Sequence, residues 1–150
     1  MPRKSAGLIM YRRRDSSIEV LLVHPGGPYW AHKDAGSWSI PKGEFAAEDG
    51  LQAAIREFIE ETGFAPEGHF RPLQPVVQAG GKVVYAWAFE GDCAPSRLRS
   101  NTFTVEWPPG SGQMLRFPEV DRAGWFGLQE AREKILRGQL PLLFELEHLA

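Results

Sequence analysis

The sequence contains a single cysteine, Cys93, and it lacks any long uninterrupted apolar run. One cysteine excludes an intrachain disulfide and a cysteine-rich zinc site, and it is typical of proteins from reducing compartments. The apolar stretch near the N-terminus is broken at residues 12–14 by three arginines. This stretch is too short for the apolar region of a signal peptide or for a membrane span. We therefore expect a cytoplasmic protein that does not enter the membrane.

A strong charge of either sign is also missing, because the formal net charge is −2 at pH 7. Without a long basic run, the chain is not expected to present a dedicated nucleic-acid surface. The hydrophobic fraction of 43% and the charged fraction of 24% are typical of folded proteins. At 150 residues we expect one domain, residues 1–150, that buries a real core. An oligomer is compatible with this composition.

Short β-prone runs alternate with a few amphipathic stretches. The predicted strands are residues 7–11, 18–24, 38–40, 70–78, 83–89, 102–107 and 114–117. The predicted helices are residues 50–62, 128–136 and 141–149, and the predicted loops are 25–37, 91–100 and 107–112. Strands mixed with a few helices predict an α/β (α+β) sandwich.

The clearest predicted element is the helix at residues 50–62. Asp49 is expected to cap its first turn with Gln52 as the reciprocal partner, and Gly63 is expected to end it in a left-handed conformation. The apolar stripe of this helix consists of Leu51, Ala54, Ile55, Phe58 and Ile59.

The other side of this helix carries Glu57, Glu60 and Glu61, which fall within a sector of roughly 100°. Their i,i+3 and i,i+4 spacing costs a few tenths of a kcal/mol per like-charge pair. Only Arg56 offers a local counter-charge. A bound divalent cation would supply the missing compensation, and hard cations such as Mg²⁺ prefer carboxylate oxygens. Taken alone, the helix leaves open the alternative of a solvated acidic face.

The stretch from Gly43 to Phe64 resembles the signature of the Nudix family. That signature is a glycine, five residues, a glutamate, seven residues, and then Arg-Glu-apolar-x-Glu-Glu-x-Gly-apolar. Glu48 precedes Arg56 by the required eight positions, but only four residues separate Gly43 from Glu48. The matched fixed positions of the second half are Arg56, Glu57, Phe58, Glu60, Glu61, Gly63 and Phe64. The N-terminal hairpin and residues 119–126 extend the resemblance.

The resemblance implies a Nudix-like α/β/α sandwich with a mixed β-sheet. It also implies water attack on the pyrophosphate bond of a nucleoside diphosphate linked to another moiety. By the same resemblance, Glu57 and Glu61 bind Mg²⁺, for which Mn²⁺ can substitute, and Glu60 is a ligand or holds metal-bound water. Arg56 orients these glutamates, and Glu48 contributes to a further metal site or pairs with Arg56.

Two roles stay open at this point. The one-residue deletion leaves the backbone carbonyl ligand that the family places at the glycine uncertain between Lys42 and Gly43. Some family members recruit a general base from outside the signature. Glu106 is the candidate here, because it ends a predicted strand before a proline-glycine loop. An ordinary exposed glutamate at the end of a strand is the competing interpretation.

Substrate contacts are predicted in the loops that precede the signature. Lys33, Lys42 and Arg3 are candidates for contacting phosphates, with solvated lysines as the alternative. Trp30 and Tyr29 are candidates for stacking on a nucleobase, a contact worth about 1–3 kcal/mol, with structural packing as the alternative. The expected partner is therefore a small nucleotide or another diphosphate.

Two functions from other classes remain as alternatives. One is a catalytically silent nucleotide-binding module on the same fold, although such a module would be expected to lose one of the helix glutamates. The other is a calcium-binding domain, for which the chain lacks an Asp-x-Asp-x-Asp-Gly loop. The four histidines show no metal-ligand spacing and are interpreted as non-catalytic; they are His24, His32, His69 and His148.

Overall fold

The computed structural model describes residues 3–149 and is built around a seven-stranded mixed sheet. The strands of the chain are β1 (Lys4–Arg14), β2 (Ser17–Pro25), β3 (Lys42–Glu44), β4 (Arg71–Pro72), β5 (Val76–Val77), β6 (Val83–Glu90), β7 (Thr102–Glu106), β8 (Met114–Pro118) and β9 (Val120–Gly127). The α-helices are α1 (Gly50–Thr62), α2 (Leu128–Lys134) and α3 (Leu140–Leu149). The sheet has the order β4-β6-β1-β2-β9, with β3 beside β1, β5 beside β6, and β7 and β8 in a separate hairpin.

The sheet is covered on both faces, as its central strand already indicates. In β1, Leu8 and Met10 are buried against α1, whereas Ile9 between them is buried among residues from α2 and α3. A strand whose side chains are apolar on both faces needs a layer on each side. Strand β1 is parallel to β6 and antiparallel to β2 and β3. The predicted α/β/α sandwich with a mixed sheet is confirmed.

Some predicted strands are different in the structure. Residues 38–40 are not a strand, because only two isolated bridges involve them, Val23 with Ser39 and Trp38 with Ile135. The predicted strand 70–78 is divided into β4 and β5, with Pro75 between them, a residue that has no N–H to donate to a ladder. Strands β3 and β9 were not predicted, because their glycine-containing and polar sequences lack regular alternation.

Helix α1 has the predicted limits. The Asp49 carboxylate accepts a hydrogen bond from the Gln52 backbone N–H at 3.2 Å, and Gly63 adopts φ 78° at the C-cap. The predicted apolar stripe is wrong at Ile59, which is 44% exposed. The helix predicted at 128–136 ends earlier, at Lys134, and Leu140 is the first residue of α3.

Within residues 3–149, no helix combines the length and the apolar character needed to cross a membrane.

Candidate active site

The glutamates of α1 lie against the backbone of β3. Pairing of residues 42–44 with β1 fixes this backbone, and the Lys42 N–H donates to Glu61 Oε1 at 3.3 Å. A Cβ placed on Gly43 would stand only 2.0 Å from the Glu57 carboxyl carbon. The Glu57 carboxylate therefore occupies the space that any other side chain at position 43 would fill. Glycine is required here for close approach, and Glu57 is buried as a result.

Arg56 holds three carboxylates around its guanidinium group. Its Nη2 donates to Glu48 at 2.6 Å, and its Nη1 donates to Glu57 at 2.8 Å and to Glu60 at 3.2 Å. These bonds raise the pKa of Arg56 further above its ordinary value, with the Glu48 contact as the largest cause. Arg56 is thus the local counter-charge that the sequence predicted, but its contacts reach Glu57 and Glu48 as well as Glu60.

Negative charge on this side of the molecule is only partly compensated. Burial, followed by the charge of Glu57, raises the pKa of Glu61 to about 8. Burial also raises the pKa of Glu57, against the opposing effect of its hydrogen bond to Arg56. The exposed, solvated acidic face is therefore not what the structure contains. Two of the glutamates are held in partly dehydrated positions where a cation would be favoured.

A further carboxylate, Glu119, lines the same cleft as Glu61 and comes from a distant part of the chain. The pKa of Glu119 is raised by burial first and then by the charges of Glu57 and Glu60. Its backbone is fixed on both sides, because Gly26 N–H donates to its carbonyl and its own N–H donates to the Asn101 carbonyl, each at 2.8 Å. Sequence reasoning did not single out Glu119. The only signal was its position at the start of the 119–126 segment.

A cavity of about 230 Å³ opens beside Glu61 and Glu119. Its polar lining includes Lys42, and the pKa of that amine is lowered chiefly by burial and then by the charge of Lys82. The remaining lining residues are Val23, Pro25, Trp30, Ser37, Ser39, Ile40, Val120 and Leu136. A largely apolar cavity next to a carboxylate cluster can hold one uncharged part of a substrate while its charged part meets the glutamates.

The structure brings together some of the predicted substrate residues and separates others. Trp30 and Lys42 line the cavity. Lys33 is exposed, and its ammonium group lies 4.9 Å from the centre of the Trp30 ring. Tyr29 is 56% exposed and packs edge-on against Trp107 at 5.3 Å. Arg3 lies 4.0 Å from Glu44, and neither residue lines the cavity.

The structure does not bring Glu106 to the helix glutamates. Its carboxylate accepts hydrogen bonds from Gly110 and Gly112, both at 3.0 Å, and so closes the loop between β7 and β8. Asn101, by contrast, contacts α1 directly, because its N–H donates to the Glu60 carbonyl at 2.8 Å. At about 3.3 Å per residue, Glu106 lies roughly 16 Å further along the strand than Asn101.

Within residues 3–149, no three histidine, cysteine, aspartate or glutamate side chains converge as a ready-made metal cage. The carboxylates of Glu48, Glu57 and Glu60 are gathered by Arg56 instead. Glu61 is the helix glutamate outside this arrangement, since it accepts a hydrogen bond from the Lys42 N–H. A cation bound between Glu57 and Glu61 would therefore compete with Arg56 for Glu57.

Comparison with known proteins agrees with this arrangement. The model of the NUDIX domain matches residues 1–146, nearly the whole chain. The chain belongs to the Nudix family. Nudix enzymes generally use divalent metal ions, which fits the partly compensated glutamates of α1. The family that was predicted from residues 43–64 is thereby confirmed.

Individual Nudix proteins resemble the chain to different extents. The bis(5'-nucleosyl)-tetraphosphatase (asymmetrical) of Caenorhabditis elegans is 40% identical over 65 residues, 43% of this chain and 43% of that protein. The match thus spans less than half the length of this curated relative. The crystal structure of a C. elegans Ap4A hydrolase binary complex has a TM-score of 0.63 at 26% identity, and it covers 98% of this chain and 96% of its own.

A second solved structure shows the same fold at lower identity. The NUDIX domain of Shewanella oneidensis NrtR, crystallised with ADP ribose, has a TM-score of 0.67 at 17% identity. The alignment covers 100% of this chain and 90% of that chain. The likeness supports the Nudix sandwich.

Proposed function

We propose that the chain is a metal-dependent pyrophosphohydrolase that cleaves the phosphoanhydride bond of a nucleoside diphosphate linked to another moiety. One observation carries the proposal. Glu57 and Glu61 are held in partly dehydrated positions against β3, with raised pKa values, and Glu61 lines a cavity. Such groups favour a bound cation, and a cation there would neutralise the phosphates of a substrate. The single cysteine supports a cytoplasmic location.

The residues of the site fit a hard divalent cation, and we propose Mg²⁺, with Mn²⁺ as a substitute. Glu57 and Glu61 are the principal ligands, and Glu60 is a further ligand or holds a water. The β3 carbonyls at Lys42 and Gly43 are the candidates for the backbone ligand, because both residues touch the ligand carboxylates. When bound, the ion would stabilise charge on the phosphates and favour deprotonation of the attacking water.

Arg56 and Glu48 act on the ligands rather than on the substrate. Arg56 donates hydrogen bonds to Glu57 and Glu60, so it fixes the orientation of both carboxylates. Glu48 in turn binds Arg56 through both Nε and Nη2 and so orients the guanidinium plane. Residues that orient metal ligands commonly change metal affinity and activity by about 10–100-fold when they are replaced.

Glu119 is the general base that the geometry favours, in place of Glu106. It lines the same cavity as Glu61, and its raised pKa makes it a stronger proton acceptor than an ordinary glutamate. Water attacking phosphorus from the side of the cavity would lose its proton to Glu119. Glu106 already accepts two backbone hydrogen bonds in the β7–β8 loop.

The cavity beside the glutamates receives the organic part of the substrate. Trp30 offers an aromatic wall, and Lys42 and Lys33 are the cations available for the phosphates. The similarity to the C. elegans tetraphosphatase and to an Ap4A hydrolase structure makes dinucleoside polyphosphates the first substrate class to test.

A hydrolysis screen with product identification by mass tests this proposal. The substrates are dinucleoside polyphosphates, nucleoside triphosphates, nucleotide sugars and diphosphoinositols, each with Mg²⁺, with Mn²⁺ and with excess chelator. We expect turnover of at least one class that disappears in chelator and returns when the ion is restored. Undiminished turnover in chelator contradicts the metal mechanism. Nucleotide binding without turnover of any class favours the catalytically silent alternative.

A further inference from the structure

A completely buried histidine lies behind the cavity. His24 belongs to β2, and its neighbours Val23 and Pro25 both line the cavity. Its Nδ1 is 2.8 Å from a carboxylate oxygen of Asp121, and its Nε2 is 2.7 Å from the backbone carbonyl oxygen of Lys33. Both ring nitrogens therefore have a close partner on a different segment of the chain.

Both partners of the ring can only accept hydrogen bonds. A neutral imidazole carries one N–H and could satisfy one of them, whereas an imidazolium satisfies both. Asp121 supplies the negative charge that such a ring needs, and Arg122 lies 3.6 Å from the same carboxylate. Hydrogen bonds between charged groups are stronger than neutral ones, and a buried polar group left without its partner is costly. The geometry thus favours a doubly protonated ring.

The contacts of His24 join three walls of the cavity. One wall is β2 itself, the second is the loop at residues 26–37 that carries Trp30, and the third is the start of β9. Asp121 and Lys33 are 88 positions apart in the chain, and His24 binds both. The distance between the Trp30 wall and the β9 wall therefore depends on this ring.

Glu119 is fixed independently of His24. Its backbone carbonyl accepts from Gly26 N–H, and its N–H donates to the Asn101 carbonyl. Loss of the ring should therefore loosen the cavity wall that carries Trp30 and Lys33 while leaving the proposed base in place. The consequence should appear in substrate binding and not in the chemical step.

We infer that His24 is a positioning residue that holds the three cavity walls together as an imidazolium and so sets the affinity for the substrate group in the cavity. His24 touches no reacting atom, which agrees with its interpretation as non-catalytic. The inference rests on the proposed function of the same site. A role in positioning is distinguishable from a general role in stability, because it predicts a change in KM with little change in kcat.

The first experiment compares His24→Gln and Asp121→Ala with Asp121→Asn and the control His69→Gln. An asparagine at 121 can donate to Nδ1 of a neutral ring, whose Nε2–H then still donates to Lys33. We expect KM to rise about tenfold for His24→Gln and Asp121→Ala, as for loss of one hydrogen bond to a charged group. Their kcat should change less than about threefold. Asp121→Asn and the control should stay near wild type.

The second experiment needs no activity, so it separates this inference from the proposed function. Amide hydrogen exchange should accelerate at residues 27–37 in Asp121→Ala and stay unchanged at Gly26 and at residues 50–62. In the wild type, ¹⁵N NMR of the His24 ring should show a proton on both nitrogens. A singly protonated ring overturns the charge assignment. Unchanged KM and unchanged exchange in Asp121→Ala overturn the inference, even if His24→Gln does not fold.

Discussion

The two sides of the cleft are built in different ways. The acidic side comes from one short segment, because β3 and α1 together span residues 42–62. The opposite side is assembled from the loop at residues 26–37, from Glu119 and from the start of β9, which meet only in the folded chain. In the proposed mechanism, the local side carries the charge that binds the cation, and the assembled side supplies the general base and the wall beside the substrate. Metal binding should therefore depend on residues that are close in the sequence, whereas the base and the substrate wall depend on the completed fold.

Removing charge from the acidic side should have the largest effect on kcat/KM. We expect Glu57→Gln and Glu61→Gln to lower kcat/KM by at least about a hundredfold each, because ligands to the cation are lost. The stability of the metal-free protein should stay the same or rise slightly, since like-charge repulsion is relieved. Steady-state kinetics and thermal unfolding in chelator measure the two effects. Glu67→Gln is the matched exposed control. Full activity in both site variants contradicts a role of the acidic side in catalysis.

Removal of the proposed general base, Glu119, should have the next largest effect on catalysis. Glu119 belongs to the assembled side. Glu119→Gln is expected to lower kcat by about 10²–10⁴-fold, the usual range for a general base. Mg²⁺ affinity should change little, because Glu119 is not a principal ligand. Glu106→Gln is the matched comparison and should leave kcat near the wild-type value. If Glu106→Gln lowers kcat and Glu119→Gln does not, Glu106 is the general base. If neither variant lowers kcat, the base belongs to α1.

The aromatic wall should affect binding more than turnover. Trp30→Ala removes a stacking surface worth about 1–3 kcal/mol, so KM should rise roughly 5- to 150-fold for a substrate with a nucleobase. The effect on kcat should be small, because the acidic side is untouched. Trp107→Ala, outside the cavity lining, is the control. If both variants have the KM of the wild type, the cavity does not hold the nucleobase of the substrate.

The prediction with the smallest consequence for turnover is a pH dependence of stability in the metal-free protein. Burial raises the pKa of Glu61 from its ordinary value of 4.5 to about 8 in the folded chain, so the folded state retains a proton that the unfolded state releases. Stability should therefore fall as pH rises between about 5 and 8. The raised pKa values of Glu57 and Glu119 act in the same direction.

Urea unfolding in chelator at several pH values measures this dependence. The slope should be smaller in Glu61→Gln, and added Mg²⁺ should stabilise the protein more at pH 8 than at pH 5. A stability that rises with pH over this window would contradict the buried, uncompensated state of Glu61.

The sequence predicted the acidic side well, because its determinants are local. The residue types at positions 49 and 63 predicted the two ends of α1. Helical periodicity predicted that its glutamates lie on one side. The position of Glu119 could not be obtained in this way. It depends on backbone bonds to Gly26 and Asn101, residues that are distant in the chain.

Strand predictions succeeded where the local sequence has the composition of a strand and failed where it does not. Residues 83–89 and 102–106 have the composition of strands and form them. Strand β3 is short and contains Gly43, so no local pattern marks it, and its pairing with β1 is decided by the surrounding fold. The importance of Gly43 was predicted from the signature, whereas its physical reason, the contact with the Glu57 carboxylate, required the folded structure.

The short connection between β3 and α1 also bears on how the family diverges. Pairing with β1 anchors β3, the core anchors α1, and residues 46–49 between them are exposed. A change of one residue in such a loop alters its closure entropy by only a small fraction of a kcal/mol. A Nudix chain can therefore lack one residue here, as this one does, while Gly43 and Glu57 stay in contact. A search pattern with a fixed spacing would overlook such enzymes, and one that allows four or five residues would recover them.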